Sequence, residues 1–440
     1  MRFRSTRSGG SADLVSALVA GLAPDGGLYV PETLPAFSPE DFDGAETPAQ
    51  VGEILLAPFF AGSALADALP EVLAETFGFD VPLRPVDGAS TPLSVLELFH
   101  GPTAAFKDVG ARFLAACLQR IEDARGADER PVTPVTILVA TSGDTGGAVA
   151  AAFHRRPGFR VVVLFPLGMV SPRQQQQLTC WGDNVVSVAV RGNFDDCQRL
   201  VKSAFADAEL AGRHRFSSAN SINIGRLLPQ SVYYAHAALA HWRERGEASS
   251  VIVPTGNLGN GLAAVMARAM GLPMGDVVFA TNANRTIADY LEEGEYRARP
   301  SVRTLASAMD VGDPSNMERL RNLFGEADRL RGSVEARVVE DDVIREQIRR
   351  DYAHYGLIEC PHTATAMHVW ETLPAERREG QHWIAVATAH AAKFPEVVEP
   401  LIGTSVPVPD ALADLLALPT HYEEIEPAPT ALGRVLDADA

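Results

Sequence analysis

Lysine is nearly absent from this chain: of 38 basic residues only Lys107, Lys202 and Lys393 are lysines, and the other 35 are arginines. A composition that accepts arginine almost everywhere makes each retained lysine a candidate for chemistry a guanidinium cannot do. That chemistry is loss of a proton and attack on a carbonyl, the route to a Schiff base. Lys107 has the most informative setting. It stands in Phe99-His100-Gly101-Pro102-Thr103-Ala104-Ala105-Phe106-Lys107-Asp108, between an aromatic and an acid, just before the helical run Arg112 to Ile121. Burial beside Phe106 and the alanine pair would lower its pKa and leave part of it neutral. Asp108 either orients Lys107 or caps the helix that follows, and the cap is the favoured reading. Lys202 shows the periodicity of a solvated helix face. Lys393, close to Thr388, is either a site cation or a structural one.

Two further stretches are suited to anions. Thr141-Ser142-Gly143-Asp144-Thr145-Gly146-Gly147 joins an apolar strand ending at Ala140 to a helical run near Ala148. Hydroxyls and free backbone N–H groups at a helix N-terminus there suit a carboxylate. Pro254-Thr255-Gly256-Asn257-Leu258-Gly259-Asn260-Gly261 again follows a strand and precedes a helix, Leu262 to Met270. Its glycines let backbone approach a phosphate closely. It is neither G-x-G-x-x-G nor a P-loop, which disfavours a dinucleotide or nucleoside triphosphate. One loop for a phosphate, one for a carboxylate and an amine nearby together describe a pyridoxal-phosphate site holding an amino acid.

The elements that must position these loops are those of an α/β fold. Short β-rich runs at Val135 to Ala140, Arg160 to Phe165, Val185 to Val190, Val251 to Pro254, Val277 to Thr281 and Trp383 to Ala387 alternate with turns and helical segments such as Ala148 to Arg156. This predicts parallel-sheet lobes with helices on both faces and ligands at the carboxyl ends of strands. Residues 1–90 read as an N-terminal subdomain, with a helix over Leu14 to Leu22, a turn at Pro24-Asp25-Gly26-Gly27 and loop from Pro31 to Ala49. Residues 91–240 form the lobe with the lysine and the carboxylate loop, and 241–440 the lobe with the phosphate loop. The tail from Asp410 is either a docked helix or frayed.

Composition narrows the partners. A formal charge of −18 opposes nucleic acid and anionic membranes. An anionic substrate must then be drawn by backbone N–H groups, helix N-termini and a few arginines acting against the overall field. Cys117, Cys180, Cys197 and Cys360 are scattered, which argues against a zinc site or a disulfide framework. The lack of long apolar runs and of a secretory pattern predicts a cytoplasmic protein without a membrane span. Oligomeric state is not legible.

Between residues 2 and 400 the chain resembles the threonine synthases of the bacterial and fungal group, within the fold-type II pyridoxal-phosphate enzymes. The resemblance rests on Leu96 to Phe113, TSGDTGG at Thr141 to Gly147, SSANSINIGRLL at Ser217 to Leu228, and GNLGN at Gly256 to Asn260. It extends to Met309-Asp310-Val311, Pro361-His362-Thr363, TAHAAKF at Thr388 to Phe394, Ser5-Thr6-Arg7 and Gly21 to Pro31. Three positions depart from the family's habit: Ser8 where it often has glycine, Leu258 where it often has an aromatic, and Ala391 where it usually has proline. The Leu258 change bears on packing beside the phosphate.

The resemblance implies that Lys107 carries pyridoxal 5'-phosphate as a Schiff base and then serves as a proton carrier. It implies a phosphate cradle of Gly256, Asn257, Leu258, Gly259 and Asn260, and Thr388 bonding the pyridine nitrogen. Ser142, Gly143, Asp144 and Thr145 would hold the substrate carboxylate. Arg112, Asn220, Ser221, Asn223 and Arg226 are candidates for substrate phosphate or ring contacts, and no metal is implied. The expected reaction converts O-phospho-L-homoserine and water to L-threonine and phosphate. Two alternatives stay open: a phospho-lyase yielding 2-oxobutyrate and ammonia, and a catalytically silent homologue.

Overall fold

The computed structural model describes residues 1–125, 133–141 and 143–438. The chain opens with a small antiparallel sheet of β1 (Phe3–Ser5), β2 (Ser11–Ala12) and β3 (Tyr29–Pro31), in the order β2-β1-β3. Between β2 and β3 lies the helix Leu14–Ala20, capped by the Asp13 carboxylate accepting from Ser16 N and closed by Gly21 at φ 70°. The stretch expected as loop to Ala49 contains a 3-10 turn, Pro39–Phe42, and the start of a helix, Pro48–Phe60, whose Thr47 makes a capping box with Gln50.

Two large sheets follow. β4 (Leu83–Pro85) and β5 (Leu93–Glu97) begin the first. The chain then builds the second from β6 (Val135–Ala140), β7 (Phe159–Pro166), β8 (Val185–Val190) and β9 (Arg215–Ser217). It returns to the first with β10 (Ser249–Pro254), β11 (Met274–Thr281), β12 (Val334–Val338) and β13 (His382–Ala387). Last, β14 (Glu423–Ile425) pairs with β8. The strand orders are β12-β11-β10-β13-β5-β4 and β14-β8-β7-β6-β9, parallel throughout except for β4. Every residue of β6, β7 and β10 is buried, as continuous apolar strands must be when both faces are covered.

Sheet membership differs from a division at 90 and 240. β4 and β5 belong with β10 to β13, because the chain leaves the first sheet before completing it. The C-terminal tail crosses back as well. It is docked: the helix Pro429–Asp437 buries Leu432, Val435 and Leu436 against the second sheet, and Arg160 donates to the carbonyls of Val435 and Leu436.

This topology brings four strand ends to one place. The segments that leave the carboxyl ends of β5, β6, β10 and β13 all contribute walls to a single cavity of about 600 Å³.

Candidate active site

Lys107 is the first residue of the helix Lys107–Ala124, which follows β5 after a nine-residue loop. The intervening loop is stapled to the segment leaving β13: Phe106 N donates to Thr388 O at 2.9 Å, and His390 N to Ala104 O at 3.0 Å. Ala104 sits at φ 54°, a left-handed conformation costly for a residue with a Cβ, so the close pairing holds it there. Asp108 does not cap the helix. Lying inside its first turn, it accepts from Thr103 N (2.9 Å) and Thr103 Oγ1 (2.7 Å) and so closes the loop that presents its neighbour. The Phe106 ring centroid lies 5.9 Å from Lys107 Nζ.

The loop after β6 is built around Thr141, whose Oγ1 accepts from Gly143 N (3.0 Å) and Gly146 N (2.9 Å). A Cβ on Gly146 would stand 2.5 Å from Leu178 Cδ2, so the turn and the helix Asp144–Phe153 can pack only with glycine there. Thr141, Asp144 and Thr145 line the cavity and Gly143 does not. Ser142 lies outside the described residues.

After β10, Gly256 to Asn260 all face the cavity. A Cβ on Gly256 would meet Met309 Cα at 2.5 Å. Leu258 is fully buried at φ 63° and turns the chain into the helix Gly259–Ala269. Asn257 is a brace: its Oδ1 accepts from Ser315 N at 2.6 Å and its Nδ2 donates to Ser221 Oγ. Asn260 Oδ1 accepts from Tyr233 OH (2.6 Å) and Tyr234 OH (2.7 Å). Its Nδ2 has no partner.

The structure gathers Thr388, Asn220, Ser221 and Arg226 to the cavity as well, but not Arg112 or Asn223. Arg112 points away and donates to the carbonyls of Glu75 and Thr76 at the end of the helix Leu69–Thr76, with its guanidinium 5.8 Å from the Phe79 ring. It lies five residues beyond Lys107 on one helix, a rotation of roughly 140°, which puts it on another face. Asn223 is consumed by the fold: it donates to Leu18 O and Ser218 O and caps Gly225 N.

Four further cavity features were given no site role from sequence. His362 is buried, accepts from Ala308 N at 3.0 Å and faces the cavity. Gln230 lines it with an unpartnered Oε1. The N-terminal segment contributes Ala20, Leu22, Ala23, Pro24 and Gly26 to its wall. Lys202, though exposed as its helix periodicity suggests, stands at the rim. Three of the four carried a sequence signal, since His362 and the stretch Gly21 to Pro31 belong to the motifs of the resemblance and Lys202 is one of three lysines, whereas Gln230 had none.

The charges are arranged about Lys107. Lys107 lines the cavity, and burial pulls its pKa down to about 8; nearby Asp144 opposes this, while Arg226 and Lys393 assist. Asp144 is also buried, which disfavours its charge. The Lys393 and Lys107 ammoniums and the Gln174 amide nevertheless hold its carboxyl well below the usual range. Burial lowers His362 to about 4, so it is a neutral imidazole at pH 7. Burial likewise brings Arg226 down to about 10, still cationic at neutral pH.

The cavity fits pyridoxal phosphate on its own chemistry. Buried polar atoms without partners converge on it: Asn260 Nδ2, Arg226 Nε, Gln230 Oε1 and Asn220 Oδ1. Such atoms are costly unless a polar ligand satisfies them. A partly neutral amine, a helix N-terminus with close backbone and a strand-end hydroxyl supply what an aldehyde, a phosphate and a ring nitrogen require. Among the described residues there is no His/Cys/Asp/Glu cluster able to hold a metal ion, and no helix long and apolar enough to cross a membrane.

The pattern of the family described as "Pyridoxal-phosphate dependent enzyme" matches residues 78–389. Those described as "Threonine synthase N terminus" and "Threonine synthase, C-terminal" match residues 2–77 and 363–435. The chain is similar to threonine synthase of Serratia marcescens, 39% identical over 405 residues covering 92% of this chain and 91% of that one. It superposes on the crystal structure of threonine synthase from Escherichia coli with a TM-score of 0.90 at 34% identity, covering 100% of both chains. It superposes on pyridoxal-phosphate-bound threonine synthase from Brucella melitensis with a TM-score of 0.89 at 34% identity, covering 99% of this chain and 98% of that one.

Proposed function

The chain belongs to the threonine synthase family, and from that premise we propose how its residues divide the work of converting O-phospho-L-homoserine and water to L-threonine and phosphate. It is a fold-type II, pyridoxal-phosphate-dependent lyase. The observation that carries the assignment of roles is the position of Lys107, a partly neutral amine on one cavity wall with a helix N-terminus from each large sheet facing the same space.

When bound, pyridoxal phosphate supplies an aldehyde for amines and an electron-accepting ring that stabilises negative charge at the substrate Cα. Lys107 would hold it, and the same amine, when free, would carry protons at the substrate Cα and Cβ. Gly256 to Asn260 hold the cofactor phosphate with backbone N–H groups, the Asn260 amide and the positive end of the Gly259 helix. The Thr388 hydroxyl bonds the ring nitrogen. The amino end of the Asp144 helix, with Thr145 Oγ1, binds the substrate carboxylate. Arg226, with Asn220 and Ser221, binds the phosphate that departs from Cγ, and guanidinium geometry suits that anion. Overall, water supplies the hydroxyl that ends on Cβ and phosphate leaves. The reading places this catalyst in the cytoplasm, acting on a small molecule.

The test is a single preparation assayed two ways. Wild type should release phosphate from O-phospho-L-homoserine, and borohydride reduction should fix the cofactor to the peptide carrying Lys107. Lys107→Ala should lose both. Attachment to Lys202 or Lys393 instead would overturn the assignment.

A further inference from the structure

Lys393 is the least exposed lysine in the chain, with its side chain fully buried in the 3-10 turn Ala391–Lys393. Its Nζ lies 2.9 Å from Asp144 Oδ1 and donates to Thr103 O at 2.7 Å. Gln174 Nε2 reaches the same Asp144 oxygen at 3.0 Å, and Gln177 Nε2 the same Thr103 carbonyl at 3.0 Å. One side of Lys393 thus fixes the loop that carries Lys107, and the other meets the carboxylate heading the helix that faces the substrate. An ionised Asp144 beside the place for a substrate carboxylate would repel it, and would pin a proton on the nitrogen of Lys107.

We propose that Lys393 is a positioning residue for the reaction: its ammonium cancels the Asp144 charge, so that the Asp144 helix can accept an anion and the Lys107 nitrogen can shed its proton. The inference rests on the reading of Lys107 as cofactor anchor. It also accounts for a lysine in a chain that uses arginine at 35 of 38 basic positions. A compact point charge fits between one carboxylate and one carbonyl, whereas a guanidinium brings five donors into a space with those two acceptors.

The groups facing the Lys107 nitrogen are Asp144, Lys393, Arg226 from the helix Ile224–Leu227 and His362 from the helix Pro361–Glu371. Asp108 turns its oxygens to Thr103 instead. Among these groups Asp144 favours the protonated nitrogen; Lys393 and Arg226 disfavour it.

The experiment is a spectrophotometric pH titration of the holoenzyme, following the visible band of lysine-bound cofactor, together with KM and kcat. Lys393→Met should move the midpoint up by about one pH unit and Asp144→Asn should move it down by a similar amount. The double variant should lie between them. Lys393→Met should also raise KM for the anionic substrate more than it lowers kcat, and Asp144→Asn should not raise it. If Lys393→Met does not fold, the comparison of Asp144→Asn with the double variant replaces it, since adding Lys393→Met should then raise the midpoint. Midpoints that stay fixed, or that move in the same direction in both single variants, overturn the proposal and leave Lys393 a structural cation. A wild-type holoenzyme without the band overturns the Lys107 reading instead.

Discussion

Replacing Asn260 by aspartate separates cofactor binding from folding at one atom. Tyr233 and Tyr234 both donate to Oδ1, at 2.6 and 2.7 Å, which fills its two lone pairs. Nδ2 is left as a buried donor without a partner on the wall of the cavity. Aspartate keeps an oxygen for the phenols but replaces the donor with an anionic acceptor facing the phosphate. A hydrogen bond to a charged group is worth about 1.5–3 kcal/mol. At about 1.4 kcal/mol per decade its loss weakens cofactor binding by about 10- to 150-fold, and repulsion adds to that. Asn260→Leu removes the donor and strands two phenols as well, each costing about 1–3 kcal/mol. It should therefore lower the melting temperature of the cofactor-stripped protein far more than Asn260→Asp does. Equilibrium dialysis gives the cofactor Kd, and thermal melts give stability. Wild-type cofactor affinity in Asn260→Asp would refute the placement of the phosphate at this amide.

Glycine replacements probe the same cradle from the backbone. Gly256→Ala drives a Cβ to 2.5 Å from Met309 Cα and should cost stability of about 1–3 kcal/mol in thermal melts, whereas Gly259→Ala meets nothing nearer than 3.8 Å and should weaken only cofactor binding. Arg112→Met should leave KM for O-phospho-L-homoserine unchanged while lowering stability by about 1–2 kcal/mol, since the guanidinium serves the carbonyls of Glu75 and Thr76. Burial holds His362 at about 4 against 6.5 in the unfolded chain, so between those values the unfolded state binds more protons. The stability due to this group is complete above about pH 6.5 and is lost as the pH falls through about 4, and melts of His362→Gln across that range should show a flatter acid limb.

The strands that sequence patterning identified are found within a few residues, because fully buried parallel strands are continuous apolar runs. β6 and β8 coincide with the expected spans, and β7, β10, β11 and β13 extend them by one to three residues. β9 and β14, three residues each, are too short to show a period, and β12 lies half-buried at a sheet edge. The same distinction governs the site. Loops contiguous in sequence, such as Gly256 to Asn260, line the cavity as one unit because their glycines and polar groups act within one turn. Partnerships across the fold could not: the Lys393–Asp144 pair and the approach of Gln230 and His362 are products of packing. Arg112 and Asn223 show the reverse error, since residue type suggested ligand contacts where helix rotation and turn capping had already committed the side chains.

The product formed from O-phospho-L-homoserine tests the central claim most directly. The purified holoenzyme, incubated with that substrate alone, should release phosphate and L-threonine in equal amounts by amino-acid analysis and phosphate assay, with 2-oxobutyrate negligible. Phosphate matched by 2-oxobutyrate and ammonia, with no threonine, would contradict it.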